Sequence, residues 1–331
     1  MALFQNLTIR EIGERAGVSI ATEYRALNKT GPVSDATIIK IQRAMEQLGQ
    51  EVPANFKKTQ THVILASFPD LVNPFNNDMI KGISDTASHH GYRVVFYANE
   101  QYSIPAGYSF LEEADFCDGL ILAHTLPDQQ RLVQLSLTKP VVMCSEHISG
   151  SVVPYVAIDD YTAACKAVDY LIASGRKRIA CINSSLTKNY AQHRERGYRA
   201  SMAKAGLPVN EKWVLHLPNI DFNAALGSLG PLFQGPDHPD AFFCVSDVFA
   251  ASVIRYAASH GIRTPQDVSV MGFDDIPLSV MVSPAISTVR QPTYQMGAQA
   301  CNILIDQIEN PQERQNTVTI LNTDLIIRGS T

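Results

Sequence analysis

The stretch Thr8-Ile9-Arg10-Glu11-Ile12-Gly13-Glu14-Arg15-Ala16-Gly17-Val18-Ser19-Ile20-Ala21-Thr22-Glu23-Tyr24-Arg25-Ala26-Leu27-Asn28 reads as two short helices joined by a tight turn. Gly17-Val18 reads as the tight turn, and Ser19 is suited to cap the second helix. A third amphipathic stretch follows Ser34, with Ile38, Ile41, Met45 and Leu48 at helical intervals facing a small core. Three helices with this turn make a miniature helix-turn-helix head.

Outward from the head the pattern changes. Short apolar runs at 62–68, 94–98, 119–123, 141–145 and 156–159 read as buried parallel strands, and 76–90 and 129–137 have the length and periodicity of crossover helices. A second series follows, with strands at 178–183, 213–217, 241–246 and 268–273 separated by helices at about 190–205, 223–233 and 248–260. Two successive β-α-β series of about 100 residues imply two similar α/β lobes, each a doubly wound parallel sheet. A ligand is expected between them, where the carboxyl ends of the strands face the crevice.

The composition fits this plan. A chain of 331 residues, 45% hydrophobic and 18% charged, can bury large cores and divides into two or three domains. Six scattered cysteines without a C-x-x-C pair read as reduced core thiols, and no metal site is expected. The start lacks a signal-peptide pattern and no run approaches the ~18 apolar residues of a membrane helix, so a cytoplasmic protein is expected. Residues 1–60 carry a formal +2 and the remainder −7, which permits a nucleic-acid-binding head on an acidic body without establishing one. No phosphate-binding loop, nucleophile elbow, H-E-x-x-H or dinucleotide fingerprint is present, so no enzyme is expected. His89-His90 before Gly91 reads as an exposed helix end.

The motifs together resemble the LacI/GalR family of bacterial transcription regulators, whose head reads close to V-S-x-A-T-V-S-R-x-L-N and then V-S-x-x-T. Here the first stands as Val18-Ser19-Ile20-Ala21-Thr22-Glu23-Tyr24-Arg25-Ala26-Leu27-Asn28 and the second as Val33-Ser34-Asp35-Ala36-Thr37. The body carries Asn73-Pro74-Phe75, Asp118-Gly119, Ile158-Asp159-Asp160, Arg194-x-x-Gly197-Tyr198, Ser246-Asp247 and Gly272-Phe273-Asp274-Asp275. The ending Ile326-Ile327-Arg328-Gly329-Ser330 is most similar to the cytidine-repressor branch. The resemblance implies a head over 1–49, a hinge or linker over 50–61, and two periplasmic-binding-protein-like lobes. These are expected at 62–160 plus 292–318 and at 161–291 plus 319–331.

The resemblance also implies a sequence-specific, effector-responsive repressor of sugar or nucleoside genes, nucleoid-associated in a bacterium. Its partners would be operator duplex DNA, a sugar-like or nucleoside-like effector and a second copy of the chain, with no cofactor beyond the effector. The chain stops at Thr331 without a leucine heptad tail, which predicts a dimer. In a helix-turn-helix the second helix enters the major groove, so Ser19, Ile20, Ala21, Thr22, Tyr24, Arg25 and Asn28 are the expected DNA contacts, with Thr8 at the first helix and Phe56 and Lys57 in the hinge. The effector set is Arg194, whose planar fork suits vicinal hydroxyls, Asp274 as a hydroxyl acceptor, Phe75 and Phe222 as rings against the ligand, and Asp160, Ser246 and Gln291 as supporting polar groups. Gln291 lies where the chain is expected to recross between lobes, so a structural role for it stays open.

The head departs from the family pattern. Glu23 replaces a buried valine, Tyr24 a serine, and Gly13 a small alanine. A buried unpaired carboxylate is unfavourable unless protonated or able to reach solvent, so Glu23 either strains the head or snorkels at its edge. Tyr24 reads as a DNA contact or as filler over the space left by Ala26. The segment Gly49-Gln50-Glu51-Val52-Pro53-Ala54-Asn55-Phe56-Lys57-Lys58-Thr59-Gln60 is short and lacks the family's hinge leucine, leaving Phe56 as a minor-groove wedge or the segment as a plain linker. Two alternatives follow: a ligand-binding protein whose head has lost DNA recognition, and an α/β enzyme using the same crevice.

Overall fold

The computed structural model describes residues 9–28, 30–31, 33, 35–50, 52, 60–98, 116–124, 129–148, 150–235, 237–312 and 315–331. It divides into two compact units, Met1–Thr61 and His62–Thr331.

The first unit holds α1 (Ile9–Ala16), α2 (Ile20–Asn28) and α3 (Asp35–Gln47). Gly17 has φ +65°, and the Gly17 and Val18 amides donate to the Glu14 and Gly13 carbonyls at 3.4 and 3.0 Å, which closes the end of α1 as a Schellman turn. Ser19 then caps α2, its hydroxyl accepting from the Thr22 amide at 3.2 Å. Ile12, Ala26, Ile41, Ala44 and Met45 form the core, with Ile38 and Leu48 packed against it.

The second unit contains two six-stranded sheets. The first joins β1 (Val63–Phe68), β2 (Arg93–Ala98), β3 (Gly119–Leu122), β4 (Val141–Cys144) and β5 (Tyr155–Ile158) with β11 (Val318–Leu321), in the order β2-β1-β3-β4-β5-β11, all parallel. The second joins β6 (Ile179–Ser184), β7 (Val214–Leu217), β8 (Ala241–Cys244), β9 (Ser269–Asp274) and β10 (Ser287–Arg290) with β12 (Asp324–Ile326), in the order β7-β6-β8-β9-β10-β12; only β12 runs antiparallel. Both lobes therefore use the doubly wound 2-1-3-4-5 order, which opens a crevice at the strand carboxyl ends. Alternation along β1 shows how the sheets are buried on both faces: Ile64, Ala66 and Phe68 join the main core, and Leu65 joins a second cluster with Leu122, Leu132 and Met143.

The helices α4 (Asn76–His89), α5 (Gln129–Thr138), α7 (Asn189–Lys204), α8 (Phe222–Ser228), α9 (Asp247–Ser259) and the short α10 (Leu278–Met281) lie between strands. Two long helices fall outside the expected segments: α6 (Asp160–Ala173), packed on α7, and α11 (Thr293–Glu309), packed on α4. A Cβ on Gly82 of α4 would sit 2.2 Å from the Tyr294 carbonyl, and one on Gly297 of α11 would sit 2.3 Å from that of Met79, so glycine on each side sets the close approach. The chain passes between sheets after β5, after β10 and between Leu321 and Asp324. The last passage lies beyond the expected 318/319 boundary, because β11 still pairs with β5. Cys117, Cys144, Cys181, Cys244 and Cys301 are buried free thiols and Cys165 is partly buried.

Candidate effector site and nucleic-acid interface

The crevice is built from the loops that follow the strands. After β1, Asp70 Oδ1 accepts from the Val72 and Asn73 amides at 3.1 and 2.7 Å, and Asn73 Oδ1 accepts from the Phe75 amide at 3.1 Å, which fixes the Asn-Pro-Phe turn at the start of α4. After β5, Asp159 caps α6 through the Thr162 amide at 2.9 Å and leaves Asp160 on the first turn, buried. After β9, the chain takes positive φ at two successive non-glycine residues, Asp274 at 109° and Asp275 at 59°. Backbone strain of this kind persists only where surrounding contacts hold it.

Those contacts are explicit. Asp247 Oδ2 accepts from the Ile276 amide at 2.9 Å and Oδ1 from the Thr288 hydroxyl at 2.6 Å. Asp275 accepts from Arg290 at 2.6 Å, Arg328 at 2.7 Å and Ser279 at 2.9 Å. Burial, with repulsion from Asp274, pushes the Asp247 carboxyl well above the usual range. Gly272 makes room for it, since a Cβ there would lie 2.2 Å from Asp247 Oδ1.

At the centre stands Arg194 of α7. Its Nε donates to Asp160 at 2.8 Å and its Nη1 to the Val245 carbonyl at 2.7 Å and to Asp274 at 3.5 Å. The guanidinium lies 3.6 Å from the Phe273 ring centroid and 4.9 Å from that of Tyr190. Gln291 donates to Asp274 at 2.8 Å, and the Ser246 hydroxyl, which caps α9, helps hold the Asp274 pKa down. Burial pushes Asp274 up to about 6, against the pull of Arg194, Gln291 and Ser246. Charge in this cluster is thus paired but dry, which suits ligand hydroxyls that can donate to Asp274 and accept from the arginine fork.

Of the seven residues expected at the crevice, the fold brings Asp160, Arg194, Asp274 and Gln291 into one hydrogen-bonded group, with Ser246 beside it at the cap of α9. Phe75 and Phe222 open α4 and α8 and are half-buried against the main core. The rings that flank Arg194 are instead Tyr190 and Phe273. Tyr190 precedes Arg194 by one helical turn, a spacing the sequence displays; Phe273 inside an apolar strand carries no such mark. Asp247, Arg290 and Arg328, which brace the Asp274 turn, are also absent from the expected set.

In the head, α2 exposes Ile20, Ala21, Tyr24, Arg25 and Asn28 along one face, with Ser19 and a half-buried Thr22 at its amino end. The polar groups are held by local bonds: Ser19 to Thr22 at 2.8 Å, Arg25 to the Ala21 carbonyl at 3.1 Å, and Asn28 to the Tyr24 carbonyl at 3.0 Å. Tyr24 is 52% exposed and so is not filler over Ala26. Thr8, Phe56 and Lys57 lie outside the described residues. Glu23 does not snorkel: it is fully buried and, among the described residues, its carboxylate oxygens have no partner in hydrogen-bond geometry. Gly13 provides the space, since a Cβ there would lie 2.6 Å from Glu23 Oε2. Burial pushes the carboxyl up to about 7, opposed by the nearby Gly13 backbone.

Comparison with known proteins agrees with this architecture. Residues 8–50 match the model for bacterial regulatory proteins of the lacI family, and residues 168–331 match a periplasmic binding protein-like domain. The chain is 32% identical to the HTH-type transcriptional repressor CytR of Escherichia coli (strain K12), over 98% of this chain and 96% of the relative. It is 29% identical to the ribose operon repressor of the same strain, over 98% and 99%. The solved transcriptional regulator CelR-cellobiose complex superposes with a TM-score of 0.71 at 26% identity, covering 98% of this chain and 100% of that one. Full-length similarity to these repressors, a helix-turn-helix head and a two-lobed body with a polar crevice make the chain a member of the lacI family, a ligand-responsive DNA-binding transcription repressor.

Proposed function

We propose that the chain is a homodimeric cytoplasmic repressor of sugar or nucleoside uptake and catabolism genes, controlled by a polyhydroxylated effector held at Arg194 and Asp274. The observation that carries the effector class is the buried Asp160–Arg194–Asp274 group between Tyr190 and Phe273: fixed donors and acceptors beside aromatic faces suit a sugar ring or ribose. The cellobiose named in the CelR complex and the ribose named in the relative's description support the same class.

Binding, not turnover, is the activity, and no cofactor beyond the effector is required. Lobe closure on the effector would shift the first lobes of a dimer against each other and change the separation of two heads that must fit half-sites about one helical turn apart. Phe75 and Phe222 at the crevice, and Phe56 and Lys57 in the hinge, belong to this proposal. The test is a thermal-shift screen of sugars, nucleosides and purines on the full chain, followed by a gel shift on duplexes selected from a random pool with and without the hit. A stabilising polyol that alters the DNA shift is the expected result. No hit in the screen, no enriched half-site, or consumption of the hit as a substrate would each contradict the reading.

A further inference from the structure

The loop after β4 carries a second strained turn. Ser145 has φ 72° and the Glu146 amide donates back to the Cys144 carbonyl at 3.0 Å, a three-residue reversal that turns Glu146 toward the other lobe. There its carboxylate reaches the amino end of α7, accepting from the Asn189 and Tyr190 amides at 3.3 Å each. The Asn189 side chain returns a bond to the His147 carbonyl. A helix amino terminus attracts anions through its free amides and its dipole, and here the protein's own carboxylate takes that place.

The buried guanidinium of the crevice is also partly engaged. Arg194 spends Nε and Nη1 on Asp160, Val245 and Asp274. Burial lowers the Lys188 pKa, opposed by the charges of Glu146 and Asp70. Four carboxyls, of Asp70, Glu146, Asp160 and Asp274, thus surround the two cationic side chains Lys188 and Arg194. Burial and repulsion from Asp160 already disfavour the charged form of Glu146. At the α7 amino terminus an added phosphate or carboxylate would meet the Glu146 carboxyl in place of free amides.

We infer that Glu146 is a specificity-determining residue that excludes anionic effectors by filling the α7 amino terminus, so that the crevice takes the neutral, unphosphorylated form of its polyol. The inference rests on the crevice proposed above, and the experiment separates the two.

The full chain is compared with Glu146→Ala and Glu146→Gln in thermal denaturation, in inorganic phosphate against chloride at equal ionic strength, and with neutral and phosphorylated pairs such as ribose and ribose 5-phosphate or uridine and uridine monophosphate. The parent chain is expected not to respond to phosphate. Glu146→Ala, with both amides freed, is expected to gain about 2 to 4 °C in Tm in phosphate. Glu146→Gln, which keeps the shape without the charge, supplies the test where the alanine variant does not fold. Adding Asn189→Pro to the responding variant removes one amide at a first helical position, where proline is tolerated, and should shrink the gain. Stabilisation of the parent chain by phosphate or by a phosphorylated ligand overturns the inference. So do variants that fold but respond no more than the parent, or a gain that Asn189→Pro leaves unchanged. Failure of every neutral probe would count against the proposed effector class, while the phosphate arms still decide the role of Glu146.

Discussion

The Gly13–Glu23 pair makes a prediction whose sign reverses with its partner. Glu23 is fully buried and its carboxyl is pushed from the ordinary 4.5 up to about 7. A folded-state value raised above the unfolded one means that ionisation opposes folding: the cost is absent below the unfolded value, grows through the interval and is complete above about 7. At about 1.4 kcal/mol per unit, a rise of this size costs the head about 3 kcal/mol at alkaline pH, and the head loses about 2 kcal/mol between about pH 5 and pH 8. Glu23→Val should remove the pH dependence and stabilise the head by about 2 to 3 kcal/mol at about pH 8. Gly13→Ala alone should destabilise, because its Cβ would lie 2.6 Å from Glu23 Oε2 and 3.3 Å from the Val18 carbonyl. In the Glu23→Val background the same change should gain up to about 1 kcal/mol from helix propensity. The assay is hydrogen exchange of α1–α3 amides in the full chain at the two pH values, corrected for intrinsic rates. Protection independent of pH in the parent chain, or additive effects of the two substitutions, would refute the reasoning.

Asp274→Ala and Arg194→Ala should each weaken effector binding by about 1 to 3 kcal/mol or more in titration calorimetry. The variants should stay folded, with some loss of Tm in Asp274→Ala because Arg194 and Gln291 lose a buried partner; loss of the folded state would make Asp274 structural. Because Asp274 is pushed up to about 6, effector affinity should fall as pH drops through about 6, and a flat profile across that range counts against carboxylate recognition. Gly272→Ala should destabilise the body and impair effector binding, since its Cβ would lie 2.2 Å from Asp247 Oδ1, and normal affinity in a folded variant would show that Asp247 does not brace the Asp274 turn. Arg25→Ala should weaken DNA binding by about 1 to 3 kcal/mol if it reads a base, whereas Tyr24→Ser should alter sequence preference; unchanged selection from random duplexes would remove both from the interface.

Features that depend on neighbours along the chain are readable from the residues alone. Gly17 and Ser19 mark the helix-turn-helix because a left-handed helix end and a hydroxyl cap are local requirements. Apolar runs mark the strands because both faces of a parallel sheet are buried. Asp274 and Arg194 were legible from motif and position, each beside a strand end or at the start of a helix. The helices α6 and α11 each bury a single face, but much of that face is small, with Ala163, Ala164 and Ala167 in the first and Gly297 and Ala300 in the second, so it stands out weakly from its surroundings in the sequence. The partners of these residues are set by packing between distant segments. Phe273 lies under Arg194 although it reads as strand core; Arg290 and Arg328 grip Asp275 from two later segments; Glu146 meets backbone amides of a helix in the other lobe, and amides leave no mark in a sequence. Glu23 shows the division most plainly. The sequence leaves it either buried under strain or snorkelling, and the space that buries it comes from Gly13 on another helix, so only packing sets those two residues against each other.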